Sequence, residues 1–212
     1  MFDQLTLFER LGVFVVRDFL DRQLCQQILA ATRQAQKIDL GGVVNDKGES
    51  VVDETLRKVQ QTQLSQSIVE TVGHKLRAIA PQLEAKFQVK LVDCQGLNFL
   101  FYREGGFYLP HQDRNFNENY QHINQRRRIS VVIFVNGEEQ TEKSDSSSLD
   151  TYKGGELMFY GLLKDEKANK LGLSLNGQPG LFVAFESDLM HEVKPVTAGE
   201  RLTIVSWFLG EE

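Results

Sequence analysis

The spacing of apolar residues changes near Val89, and this change constrains the fold more than any other feature of the sequence. Before it, in residues 21–35 and 63–87, apolar residues recur three and four positions apart, as on one face of a helix. After it, apolar and β-branched residues run in short segments between turn residues, which is typical of strands. Two helices followed by about six or seven strands predict a mainly β, α+β fold, a jelly roll (double-stranded β-helix) with the N-terminal helices packed on the outside.

Individual segments support this division of the chain. Asp21 is a suitable N-cap for the first helix. The strand candidates are residues 13–16, 97–102, 107–113, 128–135, 156–160, 181–185 and 202–208. We therefore expect a single domain over residues 1–212, in which residues 1–88 form a helical support region and residues 89–210 form the jelly-roll core.

The strand candidate at residues 97–102 is apolar on both faces. Phe99 and Phe101 share one face, and Leu100 and Tyr102 share the other. A strand of this kind is typical of a central position covered on both sides. The helices are expected to cover the first face, so the second would line an interior to which Tyr102 offers a hydroxyl group.

The next candidate strand carries a histidine and an aspartate two positions apart. It follows a turn at Gly105-Gly106 and contains His111 and Asp113. Because successive side chains on a strand point to opposite faces, these two side chains are expected to point the same way. A His-x-Asp pair is common by itself, and it indicates a metal site only if a third ligand comes from elsewhere in the chain.

His191 is the candidate for the third ligand. Two histidines and one carboxylate form the facial triad of non-haem iron oxygenases, which leaves one side of the metal open. Ten residues later Arg201 begins another strand candidate, and Thr203 shares its face. An arginine on an otherwise apolar strand needs an anionic partner, and the carboxylate of a small organic acid would provide one through paired hydrogen bonds.

Several motifs, in their order and spacing, resemble those of the 2-oxoglutarate- and Fe(II)-dependent oxygenase superfamily, and within it the catalytic domain of the prolyl 4-hydroxylase alpha subunit. They cover roughly residues 97–208. They are Phe101-Tyr102 followed by Gly105-Gly106; Tyr108 through Arg114; Arg128-Ile129-Ser130 leading to Phe134-Val135-Asn136; Gly154-Gly155-Glu156-Leu157; Gly180 through Phe185; His191-Glu192-Val193 with Pro195-Val196; and Gly199-Glu200-Arg201.

The resemblance implies a metal centre and its co-substrates. His111, Asp113 and His191 would be the catalytic Fe(II) ligands, with 2-oxoglutarate and O2 as co-substrates, succinate and CO2 as products, and ascorbate as a reductant. Halogenating relatives lack the carboxylate ligand, so Asp113 indicates hydroxylation. The family often has lysine where this chain has Arg201, a difference that concerns the subfamily and not the chemistry.

The resemblance also assigns binding roles around the metal. It implies that Arg201 holds the 5-carboxylate of 2-oxoglutarate, with hydrogen bonds added by Tyr102 and Thr203. It places Arg128 and Tyr108 at the substrate.

Three functions remain open from the sequence. The first is hydroxylation of a prolyl residue in a peptide or protein, and the second is hydroxylation of a free amino acid or another small molecule. The third is a catalytically inactive jelly-roll module that binds a metal or a ligand. Release of succinate from 2-oxoglutarate separates the third from the others, and mass spectrometry of proline-containing peptides separates the first from the second.

Charge and cysteine content bear on partners and location. The net charge of −5 argues against a nucleic-acid partner and against a basic membrane anchor. The basic run Arg126-Arg127-Arg128 is interpreted, for its first two residues, as a solvated loop edge. Two cysteines are too few for a disulfide framework, and no segment is typical of a signal peptide or a membrane span. We therefore expect a cytoplasmic monomer or homodimer.

Polar segments between the regular elements are candidates for mobile loops. Residues 41–53 are rich in glycine and charge, which predicts a mobile loop or a loose hairpin, and this segment is either a connector or a lid over a substrate. Residues 138–153 are the competitor for the lid role. His122, in the loop at residues 115–125, is a competing metal ligand, although a histidine in a polar loop is more often solvated.

Overall fold

A computed structural model of the chain describes residues 3–35, 37–44, 49–114, 123–139, 151–163, 165 and 167–211. These residues form three helices, α1 (Gln4–Arg10), α2 (Arg22–Arg33) and α3 (Gln66–Phe87). They also form eighteen strands: β1 (Phe14–Val16), β2 (Ile38–Leu40), β3 (Val43–Val44), β4 (Ser50–Val51), β5 (Arg57–Lys58), β6 (Gln60–Thr62), β7 (Leu91–Cys94), β8 (Asn98–Tyr102), β9 (Phe107–His111), β10 (Arg127–Phe134), β11 (Gly137–Glu138), β12 (Thr151–Gly154), β13 (Leu157–Phe159), β14 (Leu173–Leu175), β15 (Phe182–Glu186), β16 (His191–Val193), β17 (Val196–Ala198) and β18 (Arg201–Gly210).

The start of α2 follows from local capping. The carboxylate of Asp21 accepts a hydrogen bond from the backbone N–H of Leu24 at 2.8 Å, which confirms the predicted N-cap of α2. The helix α3 begins three residues later than the helical spacing predicts, after Ser65. The short helix α1 was not predicted, although its buried Leu5 and Phe8 lie three positions apart and so share one face.

Two antiparallel sheets dominate the architecture. The larger has the strand order β1-β15-β10-β18-β8-β6-β2, with β7 also paired to β18. The smaller has the order β14-β13-β16-β9-β5. The remaining described strands form a three-stranded sheet, β11-β12-β17, and the pair β3–β4. The structure is therefore mainly β, as the sequence predicts, and β18 lies in the middle of the larger sheet.

Buried apolar residues lie on both faces of the larger sheet. One cluster combines α2 and α3 residues, such as Ile28 and Leu76, with Phe99 and Phe101 of β8. Other clusters combine the larger sheet with the smaller, as when Leu100 and Tyr102 pack with Val193. The two faces of β8 thus separate as the alternation of its side chains predicts. Among the described residues, no helix is both long enough and apolar enough to cross a lipid bilayer.

Candidate active site

Two neighbouring strands of the smaller sheet bring the three predicted metal ligands together. The antiparallel pairing of β9 with β16 places His191 directly opposite His111. Asp113 lies just past the end of β9, which stops at His111 rather than at residue 113 as predicted. There the backbone N–H groups of Asp113 and Arg114 both donate to the carbonyl of Ser187 at 2.9 Å, which fixes the turn that directs the carboxylate.

The ligand atoms of these residues converge. They all lie within 4.8 Å of one another, with His111 Nε2 at 3.8 Å from Asp113 Oδ1 and His191 Nε2 at 3.5 Å from Asp113 Oδ2. One carboxylate and two imidazole nitrogens at this spacing suit a divalent transition metal with open coordination positions.

Backbone carbonyl groups orient both imidazole rings. Nδ1 of His111 lies 2.8 Å from the carbonyl oxygen of Leu109, and Nδ1 of His191 lies 2.8 Å from that of Leu189. Because a carbonyl oxygen only accepts, each Nδ1 must carry a hydrogen, which leaves Nε2, on the side of Asp113, as the ring nitrogen available to a metal. This support could not be predicted from residue types, since any residue supplies a carbonyl.

Burial and neighbouring charges shift the pKa values of His111 and Asp113. Burial, followed by the neighbouring His191, lowers the pKa of His111 well below its usual range. Burial alone would raise the pKa of Asp113, but His191, His111 and Arg127 outweigh it and the pKa is lowered. A neutral imidazole beside an ionised carboxylate at neutral pH is the form that coordinates a metal without first losing a proton.

Arg201, at the start of β18, is a buried cation with unused hydrogen-bond donors. Its side chain is only 1% exposed, and its Cζ atom lies 5.2 Å from the ring centre of Tyr102 and 5.0 Å from that of Phe134. Nη1 donates to the hydroxyl of Thr203 at 3.3 Å, whereas Nε and Nη2 have no hydrogen-bond partner among the described residues. A carboxylate that accepts from this guanidinium would satisfy both its charge and its geometry.

A glycine makes room for this arginine. Gly155 has φ +70°, and a Cβ atom at this position would lie 2.9 Å from both Arg201 Cδ and Val196 Cγ2. Any other residue would therefore be strained in its backbone and would press on the arginine side chain.

A cavity of about 940 Å³ connects the two groups of residues. Its walls include the three candidate ligands, and also Arg201 and Thr203 on β18. Tyr102 and Tyr108 line it as well, as the assignments made from the sequence require. The Tyr108 ring stacks on the His111 ring, with centroids 3.4 Å apart and planes inclined by 19°. Burial raises the pKa of Tyr108 to about 12, so its phenol stays protonated at neutral pH.

The structure places the neighbouring arginines Arg127 and Arg128 differently from the sequence prediction. The Arg128 guanidinium donates to the carbonyls of Gln125 and Glu211 and does not line the cavity, so its expected contact with substrate is not supported. Arg127, expected at a solvated loop edge, lines the cavity and stacks on Trp207 with Cζ 3.6 Å from the ring centre. The register of β10 shifts between Arg127 and Ile129, and this irregularity changes which side chains face inward.

The predicted lid segment lies at the wall of the same cavity. Gly42, Val43, Val51 and Asp53 line it, whereas Val52 of the same segment is 54% exposed and does not line it. The side chain of Val44 and residues 45–48 are outside the described residues, and so are His122 and residues 140–150 of the competing segment.

Comparisons with known proteins agree on one family. The model of the 2OG-Fe(II) oxygenase superfamily matches residues 97–209. A PKHD-type hydroxylase of Hyphomonas neptunium is 26% identical over 207 residues, covering 92% of this chain and 77% of the relative. A PKHD-type hydroxylase of Gloeothece citriformis is 28% identical over 198 residues, covering 92% of this chain and 77% of the relative.

Solved structures share the fold at lower identity. A Pseudomonas putida prolyl-4-hydroxylase matches with a TM-score of 0.63 and 23% identity, covering 95% of this chain and 94% of the other. A prolyl hydroxylase from Trichoplax adhaerens, solved with a peptide fragment of the hypoxia inducible factor oxygen degradation domain, matches with a TM-score of 0.68 and 16% identity, covering 97% of this chain and 86% of the other.

Proposed function

The chain belongs to the 2OG-Fe(II) oxygenase superfamily, and from this membership we propose that it is a dioxygenase that hydroxylates a C–H bond of a prolyl residue in a peptide or protein. The observation that carries the proposal is the convergence of His111, Asp113 and His191 in a cavity that also holds the buried Arg201. Fe(II), when bound together with 2-oxoglutarate and O2, supplies the oxidation of the C–H bond while 2-oxoglutarate is converted to succinate and CO2.

The residues fit the metal by their donor chemistry. His111 and His191 offer their Nε2 atoms to a metal, because their Nδ1 atoms are hydrogen-bonded to backbone carbonyls. Asp113 offers an ionised carboxylate, which gives a neutral-imidazole and anionic-oxygen donor set suited to Fe(II). The ring of Tyr108 covers one side of His111 and so restricts the movement of that ligand.

Arg201 is the proposed partner of the 5-carboxylate of 2-oxoglutarate. Its free Nε and Nη2 groups offer the paired donors that a carboxylate accepts, and Thr203 holds the guanidinium through Nη1. Tyr102 contributes a buried aromatic wall and a hydroxyl group next to this position. Because these groups are shielded from water, each hydrogen bond to the anion is stronger than on a surface.

Support for a prolyl substrate comes from the relatives. The similar solved structures include prolyl hydroxylases, and the Trichoplax adhaerens enzyme was solved with a peptide. A free amino acid or another small molecule is the alternative substrate, and ascorbate as a reductant stays a prediction.

The test is an assay of the purified protein with Fe(II), 2-oxoglutarate and a library of proline-containing peptides. We expect succinate release and a mass increase of one oxygen on a peptide proline. His191→Ala should abolish both, and the matched control His74→Ala, which changes an exposed histidine on α3, should retain both. Succinate release without peptide oxidation would direct the search to small molecules. Absence of succinate under all conditions would refute the dioxygenase assignment.

A further inference from the structure

Arg57 and Arg127 also line the cavity, and neither has an ionic partner among the described residues. Arg57 donates from Nη1 to the carbonyl of Gly42 at 2.6 Å, and its buried Nε has no hydrogen-bond partner among the described residues. Arg127 donates from Nε to Gln95 Oε1 at 2.7 Å and from Nη1 to the backbone carbonyl of Asp113 at 3.2 Å. All three acceptors are uncharged, so within the described part of the chain neither positive charge is neutralised by a salt bridge.

The two guanidinium groups lie close to the proposed reaction centre. Arg57 sits over the ring of Tyr108, with Cζ 4.6 Å from the ring centre, and Tyr108 stacks on His111. Arg127 is tied to the backbone of Asp113 and packs on Trp207. A group held between them would therefore lie beside the metal ligands.

Hydrogen bonding compensates the charge of Arg127 only in part. The residue is partly buried, and its printed hydrogen bonds go to uncharged acceptors, the side-chain oxygen of Gln95 and the backbone carbonyl of Asp113. A half-buried guanidinium normally pairs with a carboxylate, because the attraction offsets the loss of hydration.

The cavity itself cannot supply that carboxylate once the metal is bound. Among the residues described along its wall, the acidic ones are Asp53 and Asp113. Asp113 is the proposed metal ligand, and Asp53 accepts hydrogen bonds from the backbone N–H and the hydroxyl of Thr55 at 2.9 and 2.6 Å. Arg114 also lines the wall and donates from Nε to the carbonyl of Gln125 at 3.1 Å. Arg201 is matched by 2-oxoglutarate under the proposed function, so positive charge remains in excess along the described wall, and Arg57 and Arg127 carry the part of it that lies beside Tyr108 and Trp207.

We propose that Arg57 and Arg127 bind a carboxylate of the substrate, so that the enzyme acts on a substrate with a negative charge next to the reacting carbon. The inference rests on the proposed function for the identity of the cavity as the substrate site. The carboxylate belongs either to an acidic side chain flanking the target residue of a peptide or to the α-carboxylate of a free amino acid. Both sources present the same two-oxygen acceptor to a guanidinium.

The single tryptophan of the chain gives a direct binding signal. Trp207 lines the cavity under Arg127, so its fluorescence should change when a ligand contacts that guanidinium. The protein loaded with Fe(II) and 2-oxoglutarate would be titrated without oxygen against two matched pairs of probes. The first pair is a proline-containing peptide with flanking glutamates and the same peptide with glutamines. The second pair is free proline and prolinamide.

Within at least one pair, we expect the carboxylate form to bind about tenfold more tightly or better, since a charge-assisted hydrogen bond is typically worth that factor. Salt should weaken this preference. Arg57→Gln and Arg127→Gln should each remove most of the preference for the carboxylate form, whereas Arg127→Lys should keep part of it. The control is Arg103→Gln, which changes an exposed arginine paired with Glu200 and should leave the preference unchanged. The pair that shows the preference identifies the source of the carboxylate.

Indistinguishable titrations within both pairs, whether from equal binding or from none, would overturn the inference. So would a carboxylate preference that persists when both Arg57 and Arg127 are glutamine. A parallel succinate assay keeps this result separate from the proposed function, because substrate-stimulated succinate release without a carboxylate preference refutes only the arginine pair.

Discussion

Replacing Arg201 by alanine should weaken 2-oxoglutarate binding roughly thirty-fold to a few thousand-fold. Arg201 is 1% exposed, and its Nε and Nη2 atoms have no hydrogen-bond partner among the described residues. The alanine variant therefore removes the buried charge-assisted hydrogen bonds that these donors would offer to bound 2-oxoglutarate. Removing one partner of a buried, hydrogen-bonded charge pair costs about 2–5 kcal/mol, and each 1.4 kcal/mol corresponds to a factor of ten in affinity.

Calorimetric titration of 2-oxoglutarate into the metal-loaded protein without oxygen measures this loss directly. Iron affinity, titrated separately, should change little, because His111, Asp113 and His191 do not depend on Arg201 for their hydrogen bonds. The control is Arg103→Ala, which removes an exposed arginine beside the same strand.

Graded substitutions test the geometric part of the reasoning. Arg201→Lys should keep part of the affinity, since it preserves the charge but loses the planar fork of donors. Thr203→Val should weaken binding only a few-fold, because it removes one hydrogen bond that positions the guanidinium. Unchanged 2-oxoglutarate affinity in Arg201→Ala would show that the anion binds elsewhere and would refute the assignment.

Three further predictions follow from the same site. His191→Ala should lose metal binding, as measured by Fe(II) titration, while its circular dichroism spectrum stays unchanged. His74→Ala is the control, and normal activity in His191→Ala would exclude His191 as a ligand. Gly155→Ala should lower the free energy of unfolding in urea by about 1–3 kcal/mol and weaken 2-oxoglutarate binding, because it forces an unfavourable positive φ and presses on Arg201; wild-type values for both would contradict the packing argument. If residues 41–53 act as a lid, hydrogen exchange at residues 41–44 and 49–53 should slow when a peptide substrate binds. Deleting part of this segment should impair hydroxylation but not the binding of iron or 2-oxoglutarate. Unchanged hydrogen-exchange protection on substrate binding would rule the lid out.

The strand alternation in the second half of the chain could be predicted because it is a local signal. In β8, Leu100 and Tyr102 line the cavity, whereas Phe99 and Phe101 pack with the helices. A period of two residues identifies such faces without any knowledge of neighbouring strands. Part of the candidate metal site was visible for the same reason, since His111 and Asp113 lie two positions apart, whereas the distant His191 was supported by motifs that resemble a known family.

The strands β5 and β6, between α2 and α3, could not be predicted, because their stability comes from their partners. The residues of β5 and β6, Arg57–Lys58 and Gln60–Thr62, are polar and carry no apolar alternation. They become strands by pairing with β9 and β8, which are far away in sequence. This tertiary pairing also brings Arg57 to the cavity, so the sequence offered no reason to select it.

Arg127 and Arg128 show a different limit. The inward and outward faces of β10 can be assigned by counting alternate residues only if the strand is regular. Its pairing with β18 shifts register between Arg127 and Ile129. An irregularity of one residue exchanges the inward and outward faces. Which arginine reaches the cavity is therefore decided by backbone geometry that residue types do not encode.

The position of β18 has a consequence for how the protein is made. It follows the other strands in sequence, yet it separates β8 from β10 in the larger sheet. A growing chain therefore presents β8 and β10 with unpaired edges for several seconds at synthesis rates of about 5–20 residues per second. Truncation before Arg201 would divide the larger sheet into two parts, in which β8 and β10 each have an unpaired edge, and we expect such fragments to depend on chaperones or to aggregate.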